Sequence, residues 1–310
     1  MIRQLADENY YMISIIIPVY KNTSLFIKNL KHNLPFLTGC QIIIVNDDPE
    51  TSLKNELKNF KNITLIENKK NLGFGGTVNR GVQEAKNQYL MFLNSDVVLN
   101  DKSYVRGLDY FRDKSLFGIS FSQKEKDDTI VGKNKIYWLN GFFAHQRATN
   151  LQPGDNGWAE GGSCLIDKEK FLRLGGFDPL YSPFYWEDID LSYRAWKTGY
   201  RIIFEPKILV KHHHETTINK YFTKVRVKTI AYRNQLIFIW KNLTDRQLIY
   251  QHLLFLPITV LKSLVKFDYI FLAGFIKALL NLPWIVINRF HQKKMFSVSD
   301  ETVLKLFKNE

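Results

Sequence analysis

"ISIIIPVYKNTSLFIKNLKHNLPFLTGCQIIIVND", residues 13–47, decides the fold. Its two ends, 13–20 and 40–47, are short β-branched apolar runs that stop at Pro or Asn-Asp. Continuous apolar runs of this length read as strands buried on both faces, the habit of parallel sheets. Between them Phe26, Leu30, Leu34 and Leu37 recur at helical spacing, so the stretch reads as a β-α-β unit. The pattern continues with a helix near 51–60, a strand over 63–68, a helix over 76–87 and a strand over 89–94. Such alternation predicts a doubly wound α/β sheet. In these sheets ligands bind beyond the carboxyl ends of the strands, which directs attention to the loops after residues 19, 46 and 94.

Beyond Asp101 the alternation loosens. "WAEGGSCLID" (158–167) reads as a further strand, and "GGFDPLYSPFY" (175–185) as a Gly/Pro-rich loop. Next comes an acidic cluster on a helix running to about Thr198, then two short strands, "YRIIFEP" and "KILVKHHH". After Thr217 long Leu-, Ile- and Phe-rich helical stretches take over. With 45% hydrophobic residues in 310, the chain can bury a sizeable core. Cys40 and Cys164 form no CxxC pair, and no apolar leader opens the chain, which together suggest a reducing, cytoplasmic setting.

The net charge is +13, and from Lys211 onward 16 Lys and Arg stand against 6 Asp and Glu. Most of the excess therefore sits in the last third, where nucleic acid or an anionic membrane surface could meet it. The nucleic-acid reading rests on charge alone, and no such partner is expected. The run 269–287 approaches a spanning length but contains Lys277, Asn281 and Pro283, and the preceding run, 248–261, is too short to span. The scattered lysines favour helices lying on an anionic leaflet. The plainer alternative is a helical cap on the catalytic domain.

Four segments could carry chemistry. In "FLNSDVVL" (92–99), Asn94 and Asp96 directly follow a strand, where a carboxylate can hold a hard divalent cation. A helix cap is the bland reading of that Asp. "NLGFGGTVNRG" (71–81) opens a helix with glycines whose N–H groups could approach a phosphate. It is not a dinucleotide fingerprint, because Val78 stands where the third glycine is needed, and the chain has no Walker-type phosphate loop. His212, His213 and His214 could ligate metal or form a solvated turn, and they make no HExxH. In "FYWEDIDLSYRAW" (184–196), Glu187, Asp188 and Asp190 follow three aromatics. Acidic residues suit a helix start, yet a carboxylate beside aromatic faces also suits a sugar site with a general base.

Together "SIIIPVYKN", "IIIVNDD", "NLGFGGTVNRG", "FLNSDVVL", "GGSCLIDKEKFLRLGGFD", "YWEDIDLSYRAWKTGYRI" and "KHHHETT" resemble, in order over residues 13–217, the inverting family-2 glycosyltransferases of GT-A fold. The rhamnosyltransferase-like subset looks closest. The resemblance implies a GT-A type α/β fold: a mainly parallel sheet with a Rossmann-like nucleotide-binding half and a C-terminal helical, membrane-associating extension. It implies a catalytic domain over 12–217, split into nucleotide-binding (12–100) and acceptor-binding (101–217) halves, followed by a basic, apolar helical region over 218–310.

Residue by residue, the resemblance makes Asp188 the catalytic base. It gives Pro18, Val19, Tyr20, Asp47, Gly73, Asn79 and Asn94 to the nucleotide sugar, with Asp47 bonding the nucleobase. Asp96 and His212 would hold Mg²⁺ or Mn²⁺, Asn94 standing where the family's metal motif often has its first Asp. Trp186, Glu187 and Gly162 would border the acceptor. The implied reaction moves a sugar from a nucleoside-diphosphate sugar to a saccharide or lipid-linked saccharide with inversion, in cell-surface polysaccharide or glycolipid assembly, at the inner face of the cell membrane. Rhamnose, from its thymidine diphosphate, is the first guess. The competing readings are a sugar-nucleotide nucleotidyltransferase, whose Gly-rich triphosphate loop is missing from "PVYKNTS", and a non-catalytic nucleotide-sugar-binding membrane protein.

Overall fold

The computed structural model describes residues 12–212 and 218–308, so His213 and His214 lie outside the described residues. Strands β1 (Ile13–Val19), β2 (Gln41–Asn46), β3 (Ile63–Glu67) and β4 (Tyr89–Leu93) are parallel and lie in the order β3-β2-β1-β4. Their alternation is split between two cores. Ile15 and Ile17 of β1, with Ile42 and Ile44 of β2, pack on one side with Phe26 and Leu30 of the helix Thr23–Asn33. Ile16, Ile43 and Val45 face the other side, under Val78 and Val82 of the helix Gly73–Glu84. Burial on both faces is why these strands read as unbroken apolar runs. Neighbours β2 and β4 flank β1 on opposite sides, so the crevice of a doubly wound sheet opens at the carboxyl ends of β1 and β4.

The second half is mixed rather than parallel. After β5 (Val97–Leu99) come β6 (Leu116–Lys124), β7 (Ile130–Val131), β8 (Asn134–Leu139), β9 (Phe142–Arg147), β10 (Gly154–Asp155), β11 (Ser163–Asp167) and β12 (Arg201–His212). The main sheet runs β10-β12-β6-β11-β4-β1-β2-β3, with β11 antiparallel to both neighbours, while β8 and β9 form a separate hairpin. The strand expected over 158–167 begins only at Ser163, because residues 158–162 form a loop at the mouth of the crevice. The helix expected near 51–60 is the single turn Lys54–Leu57, and the one expected from 76 starts at Gly73. The two strands expected after Gly199 are one, β12, with a register shift between Glu205 and Leu209. Pro206 explains it, since proline cannot donate to the ladder.

Among the described residues no separate core marks the division expected at 217/218. Leu236, Ile237, Phe238 and Ile239 of the helix Lys224–Asn242 belong to the same cluster as Ile16 and Phe92. Farther on, the run 248–261 lies within a 20-residue helix, Arg246–Val265, long and apolar enough to cross a membrane. The run 269–287 is broken into Tyr269–Leu279 and Leu282–Lys293, bent by 63°. Pro283 sits in the first turn of the second helix, where its missing N–H costs nothing. The final helix, Asp300–Leu306, returns to the core through Val303 and Phe307.

Candidate active site

At the sheet's crevice lies a cavity of about 320 Å³. The carboxyl end of β1 brings Pro18, Val19 and Tyr20, and the segments beyond β2 and β4 bring Asp47, Asn94 and Asp96. Gly73, Gly162, Glu187, Asp188 and His212 complete the set, so eleven of the thirteen residues expected from the sequence share one cavity. Asn79 and Trp186 do not line it. Asn79 faces away and clamps Phe177 through both amide atoms, donating to its carbonyl at 2.7 Å and accepting from its N–H at 3.0 Å. Trp186 is buried in the core against His145 and Phe238, so the aromatic wall is made by Phe184 and Tyr185, with Phe74 and Phe222.

Asp47 follows β2 and is buried. Its Oδ1 accepts from Leu72 N (2.8 Å) and Asn68 Nδ2 (2.9 Å), and its Oδ2 from Gly73 N (3.0 Å). The carboxylate therefore ties the β2 loop to the start of the Gly73 helix, with little capacity left for a base. Burial raises its pKa, and these same hydrogen bonds oppose the rise. Gly73 is demanded by packing: at φ +74°, a Cβ there would lie 2.6 Å from the Pro183 carbonyl oxygen.

A second corner gathers hard donors. Asn94 Oδ1 is buried and has no hydrogen-bond partner among the described residues. Asp96 Oδ1 lies 3.3 Å from His212 Nε2. Strand pairing makes the meeting possible, since His212 is opposite Val97, the residue after Asp96. Two oxygens and an imidazole nitrogen suit Mg²⁺ or Mn²⁺, and an orphaned buried amide oxygen is what such a cation would satisfy. Among the described residues no third His, Cys, Asp or Glu joins Asp96 and His212. Gly162 backs this corner, where a Cβ would approach Asn94 Nδ2 to 2.9 Å.

The third corner is the start of the helix Glu187–Lys197. Asp188 accepts from Gly161 N at 3.3 Å and from Ile189 N at 2.9 Å, which aims its carboxylate into the cavity. Burial pushes its pKa up to about 6; the Gly161 N–H opposes the shift and the neighbouring Glu160 charge adds to it. Glu187, beside it, is buried and its Oε2 has no hydrogen-bond partner among the described residues. Burial, reinforced by the Asp188 charge, raises the Glu187 carboxyl well above its ordinary value, which favours its protonated form. The preceding loop reaches this helix through two strained residues, Tyr185 at φ 71° and Trp186 at φ 75°. Asn234, from the helix Lys224–Asn242, holds that loop by donating to the carbonyls of Tyr181 (3.0 Å), Phe184 (3.0 Å) and Tyr185 (2.8 Å).

A scan against protein-family models matches residues 14–175, just over half of the 310, to "Glycosyl transferase family 2". The chain belongs to this family. Among curated proteins it is 22% identical over 220 residues to the pre-mycofactocin glycosyltransferase of Mycobacterium tuberculosis, covering 68% of this chain and 45% of that protein. It is 24% identical over 189 residues to the same organism's N-acetylglucosaminyl-diphospho-decaprenol L-rhamnosyltransferase, covering 51% of this chain and 61% of that protein. The chain thus spans about half the length of the curated relatives it matches.

Among solved structures, GalNAc-T7 with UDP, GalNAc and Mn²⁺ superposes with a TM-score of 0.60 at 16% identity, covering 76% of this chain and 48% of that one. A mannosyltransferase from Pyrobaculum calidifontis with GDP-Man and Mn²⁺ gives 0.54 at 14%, covering 91% and 73%. At such identities the likeness shows the GT-A fold alone. Sequence reasoning about this family-2 member missed Gln123 and Glu160, which stand behind His212. The one signal for Gln123 was the polar run Ser122, Gln123 and Lys124, with Ser120 before it, at the end of an apolar strand.

Proposed function

We propose that the protein transfers a sugar, with inversion, from a nucleoside-diphosphate sugar to an acceptor hydroxyl, with Asp188 as the base. One observation carries the reading. A single cavity holds the Asp188 carboxylate, fixed by two backbone N–H groups, and the Asn94–Asp96–His212 corner. Asp188 accepts the acceptor's O–H proton as that oxygen bonds to the anomeric carbon. The bond from that carbon to the diphosphate oxygen breaks, and the electron pair leaves with the nucleoside diphosphate. Asn94, Asp96 and His212 would hold Mg²⁺ or Mn²⁺, whose charge offsets the charge developing on the diphosphate. Glu187, which lines the cavity and whose burial favours the protonated form, is placed to hydrogen-bond a sugar hydroxyl. The ends of β1 and β2 hold the nucleoside, and the Asp47 carboxylate fixes the loop against which it rests. The catalytic unit is assigned to residues 12–217.

Thymidine-diphosphate rhamnose is the first donor to test, supported by the motif pattern and by the mycobacterial rhamnosyltransferase relative. A thermal-shift screen of nucleoside-diphosphate sugars with and without Mn²⁺ identifies the donor. The absence of a shift with every nucleotide sugar, with and without Mn²⁺, would overturn the assignment.

The acceptor is proposed to be carried on a lipid at the inner face of the cell membrane. Leu253, Leu261, Val265 and Trp284 are 62%, 62%, 71% and 62% exposed, among Lys262, Lys266 and Lys277. Such a surface suits an anionic leaflet. Deleting the tail is a poor test, because Asp300 accepts from buried Lys197 at 2.8 Å and Tyr193 at 2.6 Å. The sharper test is flotation with phosphatidylglycerol vesicles. Leu253→Asp with Leu261→Asp should abolish it without lowering Tm; unchanged flotation would remove the membrane from the proposal.

A further inference from the structure

We propose that Gln123 is a positioning residue that fixes the tautomer of His212, so that Nε2 presents its lone pair to the Asn94–Asp96 corner. Glu160 fixes the orientation of Gln123 in turn. The proposal rests on reading that corner as a cation site.

The strand register begins the argument. Parallel pairing sets Val210 of β12 opposite Gln123 of β6, and carries His212 past the Gln123 side chain. Gln123 is fully buried, and its carboxamide lies between His212 Nδ1, at 2.5 Å, and a Glu160 carboxylate oxygen. The other Glu160 oxygen accepts from Asn134 Nδ2 at 2.7 Å. A carboxylate can only accept, so the amide turns its NH₂ towards Glu160 and its oxygen towards the imidazole. An amide oxygen cannot donate, so His212 Nδ1 carries the hydrogen. In the neutral ring Nε2 then holds the lone pair, and it faces Asp96 Oδ1, 3.3 Å away. Imidazoles that bind metals ordinarily donate their second N–H to an outer partner, which sets ring orientation and basicity. Here the partner is an amide whose own direction is set by a carboxylate.

The same loop serves the base. Glu160 orients Gln123, the N–H of Gly161 holds Asp188, and the Gly162 carbonyl accepts from Asn94 N at 2.8 Å. Three consecutive residues thus tie the proposed cation corner to the proposed base.

The test uses metal-free, full-length protein labelled with ring-¹⁵N histidine, with the His212 signal assigned by its loss in His212→Gln. Two-bond ¹H–¹⁵N correlations at pH 8 should show the Nδ1–H tautomer in the wild type and loss of that bias in Gln123→Met. Manganese titration followed by electron paramagnetic resonance should show Gln123→Met weakening affinity by about 10- to 100-fold. Glu160→Gln should lose less, and it carries the test if Gln123→Met fails to fold. An Nε2–H tautomer in the wild type overturns the proposal, as does unaltered Mn²⁺ affinity in folded variants. Nδ1–H in a wild type that binds no Mn²⁺ upholds the orienting role and sinks the cation reading instead.

Discussion

Asp188 and Asp190 stand two residues apart on one helix turn, and the protein treats them in opposite ways. Asp190 is fully buried, yet it receives Arg194 Nε at 2.8 Å, Lys241 Nζ at 2.7 Å, Asn242 Nδ2 at 2.7 Å and Tyr181 OH at 2.8 Å. Although burial alone would raise it, Lys241 and Arg194 hold it down at about 2. Asp188 has two backbone N–H groups and a carboxylate neighbour, and sits at about 6. A carboxylate meant to hold structure is surrounded by cations; one meant to take a proton is kept from them.

The largest expected effect tests the first half of that contrast. Asp188→Asn keeps the shape and removes the base, so transfer should fall by about 10³- to 10⁴-fold, near the upper end for general-base removal. Donor affinity, read by calorimetry, should stay within about twofold, since the ends of β1 and β2 are untouched. Near-normal transfer would break the comparison at its centre.

Asp190→Ala should do the reverse, destabilising the fold by about 3–5 kcal/mol because it leaves buried Arg194 without its carboxylate and Lys241 with Asp178 alone. Urea denaturation measures it. A loss below about 1 kcal/mol would mean that the network is not the structural partner of the pair.

Asn234→Ala tests the bridge between the two regions. Three carbonyls of the 181–185 loop lose their donor, for about 2–3 kcal/mol of stability at roughly 1 kcal/mol per hydrogen bond. Because that loop leads into Asp188, kcat should fall more than KM rises. Equal kinetics in the folded fraction would confine Asn234 to structure.

What could be read in advance follows the same divide. Asp96 and Asp188 were legible because each follows an apolar or aromatic run at a place where sheet topology puts ligands. Asp190 was not, since its partners Lys241 and Asn242 lie about fifty residues on, on a helix that looked like part of a separate tail. Trp186 and Asn79 misled for a related reason. A site motif fixes the backbone path but not the face each side chain takes, and a φ of 75° turns Trp186 inward. Gln123 was hidden within a strand, where a few polar residues read as exceptions to apolar patterning and only the register with β12 shows its partner.

The smallest effect is also the most discriminating, because activity and stability should move in opposite directions with pH. An Asp188 that must be ionised predicts a kcat/KM flat above pH 6 and falling tenfold per unit below it. The fold binds that proton more tightly than the unfolded chain, whose carboxyl keeps an ordinary pKa near 3.8. The stability this contributes is fully present below that ordinary value and is lost as pH rises through about 6. Asp190 has the opposite sign: its contribution is present above the ordinary value and disappears as pH falls through about 2. Thermal melts of wild type and Asp188→Asn between pH 4 and 7 should therefore converge at the acid end and separate towards neutrality, with the variant more stable. An activity limb near pH 4 and parallel melts would place Asp188 among ordinary solvated carboxylates, and the two aspartates would then differ only in their partners.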